Sequence, residues 1–240
     1  FMYLFIQAVY LGQTPLENDL YYRLDPLIAT TAMLAGRTVI VGLLYALINL
    51  AAAVLFGRVW CGWVCPMGTT LDWIRPRKQE KKALVSSKWR GVKYLLFAAL
   101  IFAAILGDQT FIILDPISIF TRTMTTALWP SLRFMFFGME SFLYRFDALW
   151  PALDVVNSKF LLPLFQGIES VFIAAIPIFL LFVILLGMNW VAERFWCRYL
   201  CPLGGMLGLF SRPAVFRREV SEVCTQCGIC AQNCPTGTID

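Results

Sequence analysis

Four cysteines near the end of the chain carry the most specific chemical signal in the sequence. Cys224, Cys227, Cys230 and Cys234 follow the spacing C-x₂-C-x₂-C-x₃-C and are followed directly by Pro235. Thiolates at this spacing are typical ligands of a 4Fe–4S cluster. A zinc ribbon is the alternative, but it usually separates its two cysteine pairs by a longer loop. The spacing therefore favours a 4Fe–4S site at these cysteines.

The fourth ligand of this site stays open. In chains that hold two clusters, the last cysteine of each run binds the other cluster, and this sequence has no second run of the same spacing. Either a second run lies beyond Asp240, or another cysteine completes the cluster. We expect that both ends of the sequence are trimmed, since it begins with Phe1 and stops at Asp240 directly after the motif.

The other four cysteines form two pairs of equal spacing within an internal repeat. Residues 58–71 (RVWCGWVCPMGTTL) align with residues 194–207 (RFWCRYLCPLGGML) at a constant offset. Spacing of i, i+4 within a helical turn places two sulfurs on one face. The residue before proline is pushed out of the helical region, so we expect the chain to turn at the second cysteine of each pair. The pairs are Cys61 with Cys65 and Cys197 with Cys201.

If the two repeats pack as a pseudo-symmetric pair, their four thiolates meet. Four thiolates suit a 4Fe–4S cluster or a Cys₄ zinc site. Two alternatives remain open: the cysteines are small buried apolar residues, or they form disulfides. The repetition of the motif favours a metal site, so all eight cysteines are candidate ligands.

Composition sets the class of protein and excludes several kinds of site. The chain has 240 residues, of which 59% are hydrophobic and only 15% charged, whereas soluble domains are about 25% charged. It contains no histidine, which excludes haem bound through histidine, a Rieske centre and a Cys-His catalytic pair. This composition is typical of an integral membrane protein.

The elements that must position the cysteines are predicted as membrane helices. A hydrocarbon core of about 30 Å needs about 20 apolar residues of helix. We therefore predict an all-α integral membrane protein with about four transmembrane helices in two pseudo-repeats. The predicted domains are a membrane domain over residues 1–212 and a small ferredoxin-like iron–sulfur segment over residues 213–240. The four candidate spans are residues 1–16, 38–57, 92–107 and 170–192.

The distribution of lysine and arginine predicts the orientation. Residues 58–93 carry nine basic and two acidic side chains, and five basic residues follow residue 193. Basic loops tend to stay in the cytoplasm. We expect a multi-pass protein of the inner (cytoplasmic) membrane with its cysteine motifs on the cytoplasmic side, rather than a nucleic-acid-binding loop.

Two Asp-Pro pairs mark helix starts ahead of the cysteine repeats. Asp25 precedes Pro26 and Asp115 precedes Pro116, and aspartate at the N-cap with proline at the first helical position is a start signal. These two carboxyls and that of Glu169 are also candidates for proton handling, because ionisable groups at membrane depth are often functional. We interpret Asp25 and Asp115 primarily as N-caps.

The cysteine motifs together resemble those of the NapH/NosR-like membrane ferredoxins, a polyferredoxin-type group with 4Fe–4S clusters. The resemblance rests on WCGWVCP at residues 60–66, WCRYLCP at residues 196–202 and the CTQCGICAQNCP tail. It covers most of residues 25–240, apart from residues 134–160. Without the outer flavin-binding domain of the NosR type, the chain is more similar to the NapH branch.

The resemblance implies a membrane-bound iron–sulfur subunit that passes electrons between the quinone pool and a partner reductase or ferredoxin. The implied cofactor is a 4Fe–4S cluster at the tail, and the cysteine repeat leaves open a second cluster at the paired cysteines. Whether the chain is itself an enzyme, as part of a quinol dehydrogenase, stays open. The alternatives are an assembly factor of the RdxA/CcoG type that reduces a metal or thiol, and a regulatory membrane protein with a structural cluster.

Overall fold

The computed structural model describes most of the chain between residues 20 and 216. The described residues are 20–57, 60–74, 87–146, 150–162 and 174–216, with Cys224, Thr225 and Cys227. They are mostly helical and contain no β-strand. The helices are α1 (Leu20–Arg23), α2 (Pro26–Gly36), α3 (Ala46–Phe56), α4 (Pro66–Trp73), α5 (Val92–Ile105), α6 (Pro116–Thr123), α7 (Trp129–Leu143), α8 (Trp150–Val156), α9 (Ala175–Gly187) and α10 (Pro202–Phe210).

Shorter helical turns connect these helices. The 3₁₀ turns are Val41–Leu43, Ser87–Gly91, Thr110–Leu114 and Met188–Trp190, and the π-helical turns are Trp60–Val64, Met124–Leu128, Asn157–Leu161 and Trp196–Leu200. A π-helical turn is rare and is frequently found at functional sites. Two of these π-helical turns carry the paired cysteines.

The predicted fold class, an all-α integral membrane protein with about four transmembrane helices, is wrong. Within the part of the chain that the structure describes, no helix combines the length and the apolar character needed to cross a membrane. The predicted span at residues 38–57 is divided between a 3₁₀ turn and the 11-residue α3, which stops where Gly57 adopts a φ of 78°.

The other predicted spans are shorter than expected for related reasons. Helix α5 has 14 residues and extends about 21 Å at 1.5 Å per residue, short of the hydrocarbon core of about 30 Å. Helix α9 has 13 residues and gives way to a 3₁₀ turn. Residues 1–16 and 170–173 lie outside the described residues, as does Glu169.

The chain divides into two compact units. One comprises Phe1–Tyr21 and Thr121–Leu181, and the other, called here the cysteine unit, comprises Tyr22–Phe120 and Phe182–Asp240. The first contains α7, in which Trp129 and Glu140 are buried. The cysteine unit contains both cysteine repeats and both Asp-Pro helix starts, so the candidate site belongs to one unit.

Close helix packing builds the core of the cysteine unit. Helix α10 packs against α5 and α3, and α2 packs against α5. A Cβ placed on Gly205 of α10 would lie 2.9 Å from the carbonyl oxygen of Lys93, so this glycine allows α10 to approach the α5 backbone. The fully buried side chains around these contacts include Leu27, Met67, Leu71, Leu203 and Leu207.

Both Asp-Pro pairs start helices as predicted. Asp25 caps α2, which begins at Pro26, and the left-handed Arg37, with a φ of 49°, ends it. Asp115 lies directly before α6, and its carboxylate accepts hydrogen bonds from the first turn of that helix. The sequence signal therefore fixes the start of both helices.

Candidate metal centre

Both cysteine repeats adopt the same local structure, a π-helical turn followed by an α-helix. The N–H of Cys65 donates to the carbonyl of Trp60 at 2.9 Å, and the N–H of Cys201 donates to the carbonyl of Trp196 at 2.8 Å. These five-residue hydrogen bonds replace the α-helical turn that the i, i+4 spacing predicted. The internal repeat is therefore a repeat of structure as well as of sequence.

The chain leaves the helical conformation at the second cysteine of each pair, as predicted. Cys65 has φ −66° and ψ 118°, and Cys201 has φ −62° and ψ 114°. The proline that follows excludes the helical region for the residue before it. Pro66 and Pro202 then begin α4 and α10, so each second cysteine is the N-cap of a helix.

The N-cap position places these two sulfurs next to backbone donors. The N–H of Gly204 donates to the sulfur of Cys201 at 3.3 Å. The N–H groups of Met67 and Gly68 act in the same sense on Cys65, since both lower the pKa of its thiol. A helix N-terminus favours negative charge, so this arrangement suits a thiolate ligand.

The four paired cysteines come together across the two repeats. Burial raises the pKa of the Cys65 and Cys201 thiols well above its usual range, and the charges of Cys197 and Cys61 raise both pKa values further. Burial also raises the pKa of Cys197 to about 12, with Cys61 as the next cause. Each repeat therefore lies within electrostatic reach of the other. Thiolates in such a cluster need the positive charge of a metal to form.

The glycine after each Cys-Pro pair allows the π-helical turn to lie close to the following helix. A Cβ placed on Gly68 would lie 2.7 Å from the carbonyl oxygen of Cys61, and a Cβ on Gly204 would lie 3.4 Å from that of Cys197. A contact under 3.0 Å requires a shift of the backbone. Gly68 is thus needed for the approach of the two segments, whereas Gly204 is less constrained.

The donor set of the paired cysteines fits a 4Fe–4S cluster. Four thiolates are the ligands that such a cluster takes. Two of the sulfurs lie at helix N-termini, and Gly68 and Gly204 leave room for the turns that carry the other two.

An ion pair between the repeats lies beside the cysteines. The Nε of Arg194 donates to Oδ1 of Asp72 at 2.7 Å, and a second nitrogen of the guanidinium contacts the other carboxylate oxygen. Asp72 raises the pKa of Arg194, and the charges of Cys197 and Cys61 contribute to the same shift. The guanidinium therefore places a positive charge within reach of the cysteine cluster.

Arg194 is held in a left-handed conformation. Its φ is 48°, which costs on the order of 1–3 kcal/mol for a residue other than glycine. The side chain of Asn189 accepts from the N–H of Arg194 at 2.8 Å and donates to the carbonyl of Leu71 in the first repeat, also at 2.8 Å. Asn189 thus ties the entry of the second repeat to the first.

Sequence reasoning missed Arg194, Asp72 and Asn189. A signal for the arginine exists, since Arg58 stands at the same place in the first repeat. Asp72 has no such signal, because Gly208 occupies the matching position. The ion pair connects residues 122 positions apart, so only the packed structure reveals it.

The linker after the second repeat returns to the first half of the cysteine unit. The N–H of Phe216 donates to the carbonyl of Leu55 at 3.0 Å, and its ring stacks on that of Phe56 with centroids 5.2 Å apart. The N–H of Val215 donates to the carbonyl of Val54 at 3.3 Å. The segment that leads to the tail motif is therefore anchored at the end of α3.

The tail cysteines lie largely outside the described residues. Cys224 and Cys227 are exposed, and the positions of Cys230 and Cys234 are not described. The assignment of these four cysteines as ligands stays a prediction.

Two known protein families match the parts of the chain that contain the cysteine motifs. The family described as "4Fe-4S binding domain" matches residues 38–90 and 174–221, which contain the two repeats. A second family with the same description matches residues 220–240. No solved structure matches the chain.

Curated relatives cover most of the chain at low identity. YccM of Escherichia coli (strain K12) is 26% identical over 77% of the chain, and the methylamine utilization ferredoxin-type protein MauN of Methylorubrum extorquens is 27% identical over 96%. The ferredoxin-type protein NapH of Haemophilus influenzae is 26% identical over 90%. The chain spans 43%, 64% and 61% of the lengths of these three relatives.

The cysteine geometry, the family matches and the relatives all indicate an iron–sulfur protein. The chain contains matches to 4Fe–4S binding domains and is similar to ferredoxin-type proteins, as its motifs predict, and its cofactor is a 4Fe–4S cluster.

Proposed function

We propose that this chain is an electron-transfer subunit of the NapH type, which passes electrons between the quinone pool and a partner reductase or ferredoxin. The convergence of Cys61, Cys65, Cys197 and Cys201 from the two repeats carries the proposal. Four thiolates at two helix N-termini are a donor set for a redox cluster.

The proposal assigns two cluster sites to the chain. The paired cysteines hold one cluster, and Cys224, Cys227, Cys230 and Cys234 supply ligands of the tail cluster. When bound, a 4Fe–4S cluster exchanges single electrons, which suits a link between a two-electron quinol and one-electron carriers. The linker anchored at α3 keeps the chain that leads to the tail motif beside the first half of the cysteine unit.

The surroundings of the paired cysteines support exchange with a partner on one side. Trp63, between Cys61 and Cys65, is 83% exposed, and Trp73 at the end of α4 is also exposed. The second repeat is buried at the equivalent position, Tyr199. A redox partner thus has access to the cluster from the side of the first repeat.

We further propose that the protein works at the cytoplasmic membrane, with its cysteine motifs facing the cytoplasm. The nine basic residues among positions 58–93 support this orientation. Large apolar side chains exposed along three helices also support contact with lipid or with an apolar partner. They include Leu47 and Ile48 on α3, Leu95 and Phe102 on α5, and Ile176 and Leu180 on α9.

The test is stopped-flow reduction of the purified protein by a menaquinol or ubiquinol analogue, followed by the iron–sulfur absorbance. Cys61→Ala removes a ligand at the paired cysteines, and Cys227→Ala removes one at the tail, so each serves as control for the other. We expect Cys61→Ala to slow reduction of the tail cluster at least tenfold, while Cys227→Ala leaves reduction of the remaining cluster at the wild-type rate. Equal rates of tail reduction in wild type and Cys61→Ala would exclude the paired cysteines from the route.

A further inference from the structure

Two carboxyl groups that the cluster does not use lie buried in the cysteine unit. Asp25 and Asp115 are both 0% exposed. Oδ1 of Asp25 accepts from the N–H groups of Leu27 at 2.8 Å and Ile28 at 3.3 Å. Oδ2 of Asp115 accepts two hydrogen bonds from the first turn of α6, each 2.9 Å long. One oxygen of each carboxyl is thus occupied by a helix N-terminus.

The other oxygen of each carboxyl has no hydrogen-bond donor among the described residues. These oxygens, Oδ2 of Asp25 and Oδ1 of Asp115, are both buried. The two carboxyl groups nevertheless lie within hydrogen-bond contact of each other. Two carboxylate oxygens are both acceptors, so such a contact requires a proton between them.

The site is built for a proton and not for a metal ion. Calcium and magnesium take six or more oxygen ligands, whereas the described part of this site supplies two carboxylate oxygens that accept no hydrogen bond. Within the described residues, no group of three or more acidic or cysteine side chains forms a metal site. Two helix N-termini point at the pair, and their partial positive charge opposes a cation but stabilises a single remaining negative charge.

The elements around the pair differ in charge. Helices α3 and α10 carry no ionisable side chain. The side chain of Asp115 also acts on the pKa of Asp25. Burial is the first cause of the raised pKa of both carboxyls, about 6 for Asp25 and well above the usual range for Asp115. The ionisable side chains on adjoining elements are Tyr22, Arg23, Tyr45, Lys93, Tyr94, Asp108 and Arg122.

We propose that Asp25 and Asp115 form a proton-binding site that holds one shared proton between the two carboxyls at neutral pH. The proton comes from solvent, and its uptake changes the charge of the pair from −2 to −1. A second proton binds as the pH falls, which leaves the pair neutral. Each carboxyl caps a helix upstream of one cysteine repeat, Asp25 before the first repeat and Asp115 before the second.

Infrared spectroscopy of the intact, cluster-loaded chain tests this proposal. A protonated carboxyl has a carbonyl stretching band that is separate from carboxylate bands and shifts in heavy water. We expect one such buried group per chain at about pH 7 and an increase as the pH falls through about 6. The variants Asp25→Asn and Asp115→Asn keep an N-cap acceptor, and the double variant should lose the band completely.

Asp108→Asn is the matched control. Asp108 is an exposed aspartate whose carboxylate accepts from Thr110, so its replacement should leave the band unchanged. Persistence of the band in the double variant, or its absence from wild type at about pH 7, would overturn the proposal. Should the variants fail to fold, isotope-labelled aspartate in the unmodified protein keeps the test decisive, because a band that does not shift with the label cannot arise from this pair.

Discussion

In the first cysteine repeat, Trp63 is 83% exposed, whereas its counterpart in the second repeat, Tyr199, is 2% exposed. The backbone of the two repeats is nevertheless the same, with a π-helical turn, an extended cysteine and a helix that starts at proline. At this position the second repeat is packed into the core, whereas the first faces outward. The comparison shows that the motif determines the ligand geometry and the packing around it determines access.

The largest expected effect comes from removing one ligand from each repeat, which tests whether both repeats bind the same cluster. Cys65→Ala and Cys201→Ala should each abolish one cluster's worth of iron, because both sulfurs belong to the same proposed site. Iron analysis and the EPR spectrum of the reduced protein measure this loss. Cys227→Ala should remove the signal of the tail cluster instead. Retention of full iron by only one of the two repeat variants would show that the repeats do not share a cluster.

The second largest difference between the repeats should be in the stability lost when an aromatic side chain is removed from each. Tyr199→Ala removes a buried ring that contacts Phe195 at a centroid distance of 5.0 Å, and we expect a loss of about 3–5 kcal/mol in the free energy of unfolding. Trp63→Ala should change it by about 0.5 kcal/mol or less. Chemical denaturation of both variants measures the difference. Similar losses would mean that Trp63 is covered in the native protein.

The two aspartate caps should make stability depend on pH. Burial raises the pKa of Asp25 from 3.8 to about 6, so the folded protein binds more protons than the unfolded chain in this range. The stabilisation is complete below about pH 4 and is lost as the pH rises through about 6. A pKa shift of this size corresponds to on the order of 3 kcal/mol in the free energy of unfolding.

Thermal unfolding across this pH range checks the sign. The Asp25→Asn, Asp115→Asn double variant should lack the fall in stability, and the exposed Asp108→Asn should retain it. A wild-type protein that becomes more stable from about pH 4 to about pH 7 would contradict the raised pKa values.

The smallest expected effect is the difference in stability between alanine variants of the two glycines that follow the Cys-Pro pairs. Gly68→Ala places a Cβ 2.7 Å from the carbonyl oxygen of Cys61, and overpacking of this kind costs about 1–3 kcal/mol. The equivalent contact in Gly204→Ala is 3.4 Å, so its cost should be below about 1 kcal/mol. Denaturation midpoints measure both, and a larger loss for Gly204→Ala would reverse the assignment of the tighter turn.

Local features were predictable because short-range sterics decide them. The Asp-Pro pairs start helices, and the residue before proline leaves the helical region, wherever these pairs occur. The cofactor could also be predicted from cysteine spacing and resemblance. The division of the chain into residues 1–212 and 213–240 stays a prediction, as do the tail ligands.

The error in the fold class has a physical origin. Composition and apolar runs report how many residues avoid water, but they do not report where a helix ends. The run at residues 38–57 is interrupted by a 3₁₀ turn and stops at the positive φ of Gly57. Each interruption is a local change in backbone conformation. Mean hydropathy is taken over many residues and does not detect it.

The sequence by itself determined the turns at Cys65 and Cys201 and the helix starts at Pro66 and Pro202, because each depends on residues within one helical turn. Tertiary structure alone decided which groups meet across the chain. It brings Cys61 and Cys65 to Cys197 and Cys201, joins Arg194 to Asp72, and sets Asp25 against Asp115. These contacts join helices that are far apart in sequence but pack together in space. The same packing buries the groups, and burial changes the proton affinity of the cysteines and aspartates.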